Sequence, residues 1–208
     1  MSPLQNRVTP FGEIIAAKAR GALMGNRGCL HDGARNIIRQ FQRKAWISCK
    51  LSFKGIKRTV MSPGEYTELF FLDEATALAA GHRPCASCSR TSYTAFVDAW
   101  KAGNRGLVPA GKWAVTHLDE CLHHERVDES GHKRLYEASA DTLPDGTFIV
   151  TPGSVDRRAG LLRGDQLLPW SPEGYLQPEL RSKRVSVSVL TPRSIVRALT
   201  AGYKPAGL

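Results

Sequence analysis

The spacing of apolar residues predicts both helices and strands in this chain of 208 residues. Apolar side chains three or four residues apart, together with helix-favouring composition, predict helices at 11–23, 34–43, 73–80, 89–100, 114–127 and 192–201. Alternation and short apolar runs predict strands at 46–53, 56–61, 66–71, 147–150 and 185–190, with a hairpin at 161–170. This mixture predicts an α+β fold with a C-terminal antiparallel β-sheet subdomain.

The same pattern divides the chain into three regions. Residues 1–45 form a predicted basic helical segment, residues 46–103 a small sheet and helix module, and residues 104–208 an α+β region. A loop rich in glycine and proline at 104–112 suggests the second boundary. The third region either stands alone or continues the same domain.

The strand predicted at 46–53 alternates clearly. Ile47, Cys49, Leu51 and Phe53 point one way and the intervening Ser48, Lys50 and Ser52 the other, which predicts one buried face. The turn at Lys54-Gly55 and the basic return at 56–61 predict a hairpin with this strand.

A short helix is followed by a cysteine pair. Asp73 is the predicted N-cap of this helix, and Gly81 and Pro84 end it. Cys85 and Cys88 then form a C-x-x-C, whose two thiolates can bind one zinc ion. A redox pair or two ordinary buried cysteines are the alternatives.

The positive charge is concentrated in the first third of the chain. Residues 1–60 hold 12 Lys and Arg but 2 Asp and Glu, whereas residues 61–208 hold 17 of each, so the whole net charge of +10 lies before residue 61. This asymmetry predicts a polyanionic partner, with DNA or another nucleic acid favoured over a merely solvated surface. The candidate nucleic-acid-binding residues are Arg35, Arg39 and Arg43, four apart on the predicted helix, and Lys44, Lys54, Lys57 and Arg58.

Residues of about 46–90 resemble the zinc-binding N-terminal domain of the Ada family of DNA alkylation-repair proteins. The resemblance lies in an aromatic pair, Phe70-Phe71, a Glu/Ala-rich helix, the turn Gly81-His82-Arg83-Pro84, and the C-x-x-C. His82 replaces the usual aromatic residue of the turn. The resemblance does not extend to the rest of the chain.

This resemblance implies a zinc cofactor and a reactive cysteine. It implies Cys49, Cys85 and Cys88 as metal ligands, and Cys49 as the acceptor of a methyl group from a DNA phosphotriester. Phe53 stands where the family has its second cysteine, and a closed structural zinc site needs four ligands. The candidates for a fourth ligand are Cys29, His31, His82, Cys121 and His123.

Two other functions remain open. The predicted helix from His117 to Arg126 is rich in groups that bind metals or move protons, including His117, Cys121 and His124 on one face, which would suit a nucleic-acid hydrolase or nuclease. Alternatively, zinc is purely structural and the protein binds a protein partner. Neither a long apolar run nor a signal-peptide pattern is present, so we expect a cytoplasmic protein without a membrane span.

Overall fold

The computed structural model describes residues 2–55, 59–151 and 157–207 and confirms the α+β fold. Within these residues four α-helices accompany two β-sheets. The helices are α1 (Glu74–Ala79), α2 (Arg90–Gly103), α3 (Val115–Arg126) and α4 (Arg193–Thr200). Short 3-10 helices lie at Arg105–Leu107 and Ala140–Thr142.

The first sheet contains six strands from the N-terminal half. They are β1 (Gln5–Val8), β2 (Ile14–Ala16), β3 (Leu23–Asn26), β4 (Ile47–Lys50), β5 (Leu69–Phe71) and β6 (Arg83–Pro84). The spatial order is β2-β1-β5-β3-β4-β6. The β1–β5 and β4–β6 pairs are parallel and the other pairs antiparallel. Strand β4 therefore lies between β3 and β6 and has no free edge.

The predicted helix at 11–23 is wrong, because β2 and the start of β3 occupy that segment. Two glycines explain why the sheet is favoured. A Cβ at Gly21 would lie 2.4 Å from the Phe71 carbonyl oxygen, and a Cβ at Gly25 would lie 2.4 Å from the Phe71 ring. Both positions allow the backbone to approach β5 closely, which a helix would not require.

The predicted helix at 34–43 is also wrong, so the described part of residues 1–45 contains no helix. The carboxylate of Asp32 accepts the backbone N–H groups of Ala34 and Asn36, each at 2.9 Å, and this fixes a turn. Arg35 within the turn has a positive φ of 66°. The chain then returns alongside residues 27–31, where Ile38 N–H donates to the Leu30 carbonyl.

Strand β4 is shorter than the predicted strand at 46–53, and its buried side is the opposite one. Trp46 and Ser48 are buried, Ile47 and Cys49 are half-buried, and Leu51 is exposed. The predicted return at 56–61 lies partly outside the described residues, and residues 59–61 form no strand. A hairpin at this place is excluded because β3 and β6 already fill both edges of β4.

The second sheet is antiparallel and comes from the C-terminal half, as predicted. Its strands are β7 (Tyr136–Ser139), β8 (Phe148–Val150), β9 (Ala159–Arg163), β10 (Gln166–Ser171), β11 (Gly174–Tyr175), β12 (Glu179–Leu180) and β13 (Ser186–Val189). Their order is β11-β10-β9-β8-β13-β7, and β12 pairs with β10. The predicted hairpin at 161–170 is the β9–β10 pair.

Helix α1 joins the sheets and the helical layer. Asp73 caps it as predicted by accepting the Thr76 N–H at 2.7 Å. Its apolar residues are divided among three clusters: Ala77 packs in the first sheet's core, Ala75 and Ala79 pack on the second sheet, and Leu78 packs against α2, α3 and α4. The region boundaries predicted at 45/46 and 103/104 stay predictions.

None of the helices in the described ranges is both long enough and apolar enough to cross a bilayer.

Candidate metal centre

The sheet and the turn after it bring three cysteines together. Cys49 lies in β4 and Cys85 follows β6, its parallel neighbour. The Cys85 N–H donates to the Ser48 carbonyl at 2.9 Å, which continues the ladder and places Cys85 beside Cys49. Cys88 lies in the turn before α2, where the Ser89 N–H donates to the Cys85 carbonyl at 3.1 Å.

The three sulfur atoms lie within 4.8 Å of one another. Cys85 and Cys88 are each 9% exposed, whereas Cys49 is half-buried. Three sulfur atoms this close can bind one metal ion, and thiolates favour soft and borderline metals. No further Cys, His, Asp or Glu within the described residues joins this group. The described residues thus supply three possible ligands for a metal ion.

The sulfur atoms differ in their hydrogen bonds. The Ser87 N–H donates to Cys85 Sγ at 3.4 Å and the Lys50 N–H to Cys88 Sγ at 3.3 Å, but no N–H group of the described chain reaches Cys49 Sγ. Burial opposes ionisation of Cys85, yet hydrogen bonds from the Cys88 and Ser87 backbone bring its pKa below the usual value. Burial, followed by the charges of Cys85 and Cys88, raises the pKa of Cys49 far above its usual range. Cys49 is thus the thiol whose ionisation depends most on a bound cation.

Two candidates for the fourth ligand lie in the N-terminal segment and are engaged there. His31 is buried and its Nδ1 lies 2.6 Å from Thr67 Oγ1, while its Nε2 lies 3.2 Å from the Ser62 carbonyl oxygen. Cys29 Sγ lies 3.7 Å from the His31 carbonyl oxygen. Neither side chain is part of the three-cysteine cluster.

The other three candidates also lie outside the cluster. His82 is buried with its ring 5.1 Å from the Trp46 ring. Cys121 packs beside the core of α2, α3 and α4. His123 lies edge-on to Phe41, with the ring centres 5.0 Å apart. None of the five candidates therefore completes a four-ligand site in this structure.

The turn from Gly81 to Pro84 anchors the metal centre to α3. Gly81 has φ +86°, and a Cβ there would lie 2.5 Å from Arg126 Cδ, so both its conformation and its neighbour require glycine. Arg83 donates to both carboxylate oxygens of Asp119, at 2.7 and 2.8 Å, and both side chains are 7% exposed. This buried bidentate pair holds β6, and hence Cys85, against α3. This role of Asp119 could not be predicted from a local pattern, because its partner lies 36 residues away along the chain.

Of the predicted nucleic-acid-binding residues, the structure brings Arg43 to the metal centre. It is exposed at a depression of about 290 Å³, whose lining includes Asn26, Ile47, Arg83, Cys85 and Ser87. Lys44 instead forms an exposed ion pair with Glu120 at 2.6 Å.

The remaining predicted nucleic-acid-binding residues are more scattered. Arg35 and Arg39 are exposed on the irregular segment, so they do not form the predicted helical row. Lys54 is exposed next to the Phe53 ring, and Lys57 and Arg58 lie outside the described residues. Binding of nucleic acid by these residues stays a prediction.

Helix α3 forms as predicted, but its histidines and cysteine do not assemble a second metal site within the described chain. His117 Nδ1 lies 3.0 Å from the Ala114 carbonyl oxygen at the exposed helix start. His123 Nδ1 lies 3.2 Å from Arg126 Nη2. The His117 contact therefore lies at the start of α3, and the His123 contact lies within the helix next to Arg126.

Comparison with known proteins found no matching family model, no matching curated protein and no matching solved structure. The resemblance to the Ada zinc domain therefore depends on the residues already described, and it stays a prediction.

Proposed function

We propose that this chain is a zinc–thiolate protein that acts on DNA, with Cys49 as an acceptor of methyl groups. The observation that carries the proposal is the convergence of Cys49, Cys85 and Cys88 within 4.8 Å, with Cys49 the most exposed of the three. The resemblance of residues 46–90 to a methyl-accepting zinc domain supplies the reaction.

Zinc is the ion that best fits this set of ligands. Sulfur atoms on a tetrahedral zinc at about 2.3 Å lie roughly 3.8 Å apart, a spacing compatible with three thiols that lie within 4.8 Å of one another. When bound, zinc would keep all three thiols ionised at neutral pH. Three protein ligands with an open fourth position are typical of reactive rather than structural zinc sites.

The hydrogen bonds favour Cys49 as the nucleophile. N–H groups donate to the sulfurs of Cys85 and Cys88, and a thiolate that accepts such hydrogen bonds is a weaker nucleophile. Cys49 has no such N–H donor within the described chain. In the proposed step, the Cys49 thiolate attacks the methyl carbon of a DNA methyl phosphotriester. The S–C bond forms as the C–O bond breaks, and the phosphodiester leaves with the electron pair.

The basic surface near the cluster supports DNA as the substrate. Arg43 borders the depression next to Cys85, and the exposed Lys50 follows Cys49 in the chain. Cations at these positions would attract the phosphate backbone that carries the methyl group.

The test is the intact mass of the zinc-loaded protein after incubation with an oligonucleotide that contains a methyl phosphotriester. We expect one zinc per chain by native mass spectrometry and the gain of one methyl group, mapped to Cys49. A Cys49→Ser variant should gain none. Cys29→Ser is the matched control, because Cys29 is half-buried like Cys49 but lies outside the cluster.

The possible outcomes separate three functions. Zinc without methyl transfer would leave a structural zinc protein. Methylation of Cys29 and Cys49 to the same extent would indicate unselective alkylation and contradict the proposal. Cleavage of the oligonucleotide, lost on replacement of His123 by Ala, would favour the hydrolase.

A further inference from the structure

A second pocket lies on the other side of β4 from the cysteines. Side chains along an extended chain alternate between the two faces of a sheet. Trp46 and Cys49 are three residues apart, so they lie on opposite sides of the sheet. The cavity next to Trp46 has a volume of about 440 Å³. Its polar lining includes Glu13, Arg27, Gln40, Arg126, Lys133 and Arg157.

Two buried arginines form the wall of this pocket. Arg27 is 1% exposed and Arg126 is fully buried, and both guanidinium carbons lie 3.9 Å from the centre of the Trp46 ring. Their hydrogen-bond partners are neutral: Arg27 donates to the Gly12 carbonyl at 2.9 Å, and Arg126 to the Gly81 carbonyl at 2.9 Å.

The two guanidinium groups are incompletely paired. Arg27 Nη2 and Arg126 Nε are buried, and neither atom has a hydrogen-bond partner among the residues that the structure describes. His82 accepts from Arg27 Nε at 3.2 Å as a neutral ring, because burial, and then Arg27 and Arg126, hold its pKa well below the usual value. This neutral histidine therefore accepts a hydrogen bond from Arg27 without balancing its charge.

A lysine adds a third cation. Lys133 lies on a tight hairpin directly after α3, where Val127 and Lys133 form a β-bridge and Gly131 has φ +80°. Its Nζ donates to the Ala79 carbonyl oxygen. Burial, followed by the charges of Arg27 and Arg126, lowers the pKa of Lys133 to about 7.

No carboxylate in the described parts of the chain lies within ion-pair distance of these three cations. Asp119 is occupied by Arg83, and Asp128 accepts the backbone N–H groups of Ser130 and His132. Glu13 lines the pocket but is exposed. Buried charges normally have a counter-charge, and each costs several kcal/mol without one.

We propose that the pocket formed by Arg27, Arg126 and Lys133 binds the phosphate group of a phosphate monoester. Guanidinium groups match the oxygens of phosphate, and a dianion would balance most of the charge of three cations. The cavity is larger than a phosphate and also has Phe11 and Leu135 in its lining, so there is room for an organic body next to the anion. The ligand is either a small phosphorylated compound or the terminal phosphate of a nucleic-acid strand.

The first experiment titrates inorganic phosphate into the full-length, zinc-loaded chain by calorimetry. A Lys133→Met variant should bind phosphate about tenfold more weakly or worse, because it removes one charged donor. Gln40→Glu places a carboxylate in the pocket without a change of shape and should weaken binding severalfold. Gln40 is exposed, so this variant should fold normally.

Two controls match these variants. Lys18→Met and Gln166→Glu make the same changes at exposed positions outside the pocket, and the affinity for phosphate should not change. Equal affinity in all five proteins, or no binding of millimolar phosphate by the parent protein, would overturn the proposal.

A second titration checks that binding involves the protonation of Lys133. Sulfate carries a constant charge, so its affinity should fall between about pH 6 and about pH 8.5 as Lys133 loses its proton. The other charged or titratable groups in the pocket wall are Arg27, Arg126, Arg157, Glu13 and His132. Lys133→Met retains all of them, so the difference between the two proteins isolates the contribution of the lysine. The fall should be smaller in Lys133→Met, and the same fall in both proteins would count against the lysine.

The source of the phosphate is found by comparing a 5′-mononucleotide with oligonucleotides that carry a 5′-phosphate or a 5′-hydroxyl. Preference for the 5′-phosphorylated strand, lost in Gln40→Glu, would identify a strand end as the ligand. Tight binding of the mononucleotide without such a preference would identify a small molecule. The result does not depend on methyl transfer at Cys49, so either proposal can fail alone.

Discussion

The two sides of β4 carry groups of opposite charge type: thiols that can ionise on one side and arginines on the other. On one side, Cys49, Cys85 and Cys88 bring three ionisable thiols within 4.8 Å of one another. On the other side, Arg27 and Arg126 are buried, and no carboxylate of the described residues pairs with them. One side is therefore suited to a metal cation and the other to an oxyanion.

A third site in the same region contains a buried ion pair. The buried pair of Arg83 and Asp119 is bidentate, and each charge has its counter-charge within the chain. Comparison with this pair indicates that burial alone does not explain the other two sites. Within the described residues neither of those sites has its counter-charge, so each is suited to a ligand of the opposite charge.

Removal of metal should have the largest effect on stability. A chelator, or replacement of Cys85 by Ser, should lower the free energy of unfolding by at least about 3 kcal/mol. The reason is that a metal bound only by the folded state adds its binding free energy to the stability of the protein. Urea unfolding with and without chelator measures this difference. Cys121→Ser is the control, because Cys121 lies outside the cluster. This variant should still bind one zinc per chain and should lose stability in chelator as the parent protein does. A parent protein that is insensitive to chelator would contradict a metal centre.

Loss of the buried ion pair should have the second-largest effect on stability. Asp119→Asn leaves Arg83 buried without its counter-charge and should destabilise the protein by about 3–5 kcal/mol. Lys133→Met should cause a much smaller loss in phosphate-free buffer, because it removes a charge that lacks a carboxylate partner. Glu120→Gln is the matched control on α3, since its ion pair with Lys44 is exposed and should contribute little. Equal losses for Asp119→Asn and Lys133→Met would show that the lysine is as well compensated as the arginine.

The sequence predicted much of the fold where local signals and packing agree. The helix that Asp73 caps and the β9–β10 hairpin form as predicted. The prediction of helices in the N-terminal segment is wrong because short apolar runs do not distinguish a helix from a strand. The deciding features were the close approach of Gly21 and Gly25 to Phe71 and the turn at Asp32, and the first of these depends on distant parts of the chain.

The candidate sites differ in the same way. The C-x-x-C motif is local, so the sequence indicated Cys85 and Cys88 directly, and Cys49 came from the resemblance. The basic pocket has no local signature, because Arg27, Arg126 and Lys133 meet only after the sheet and α3 have packed together. Arg126 in particular appeared in the sequence as the end of a polar helix, yet it is fully buried.

The stability of the protein should also depend on pH through Lys133. The folded pKa of Lys133, about 7, lies below its ordinary value of 10.5, so the folded state binds fewer protons than the unfolded state between these values. Stability from this group therefore rises with pH above about 7, by at most about 1.4 kcal/mol per pH unit. Urea midpoints between about pH 6.5 and about pH 8.5 should show this slope in the parent protein and a reduced slope in Lys133→Met. Identical slopes in both proteins would place the lysine's titration outside this range.

The smallest expected effect is a gain in stability from an added acid. Gln40→Glu introduces a carboxylate into the cavity that holds Arg27, Arg126 and Lys133, and Arg27 Nη1 already lies 3.5 Å from the Gln40 carbonyl oxygen. In phosphate-free buffer we expect a gain of about 0.5 kcal/mol, because the site is near the surface. Gln166→Glu should give none. The variant that weakens phosphate binding should thus stabilise the empty protein, and a variant that weakened both would indicate a structural defect instead of competition for the same cations.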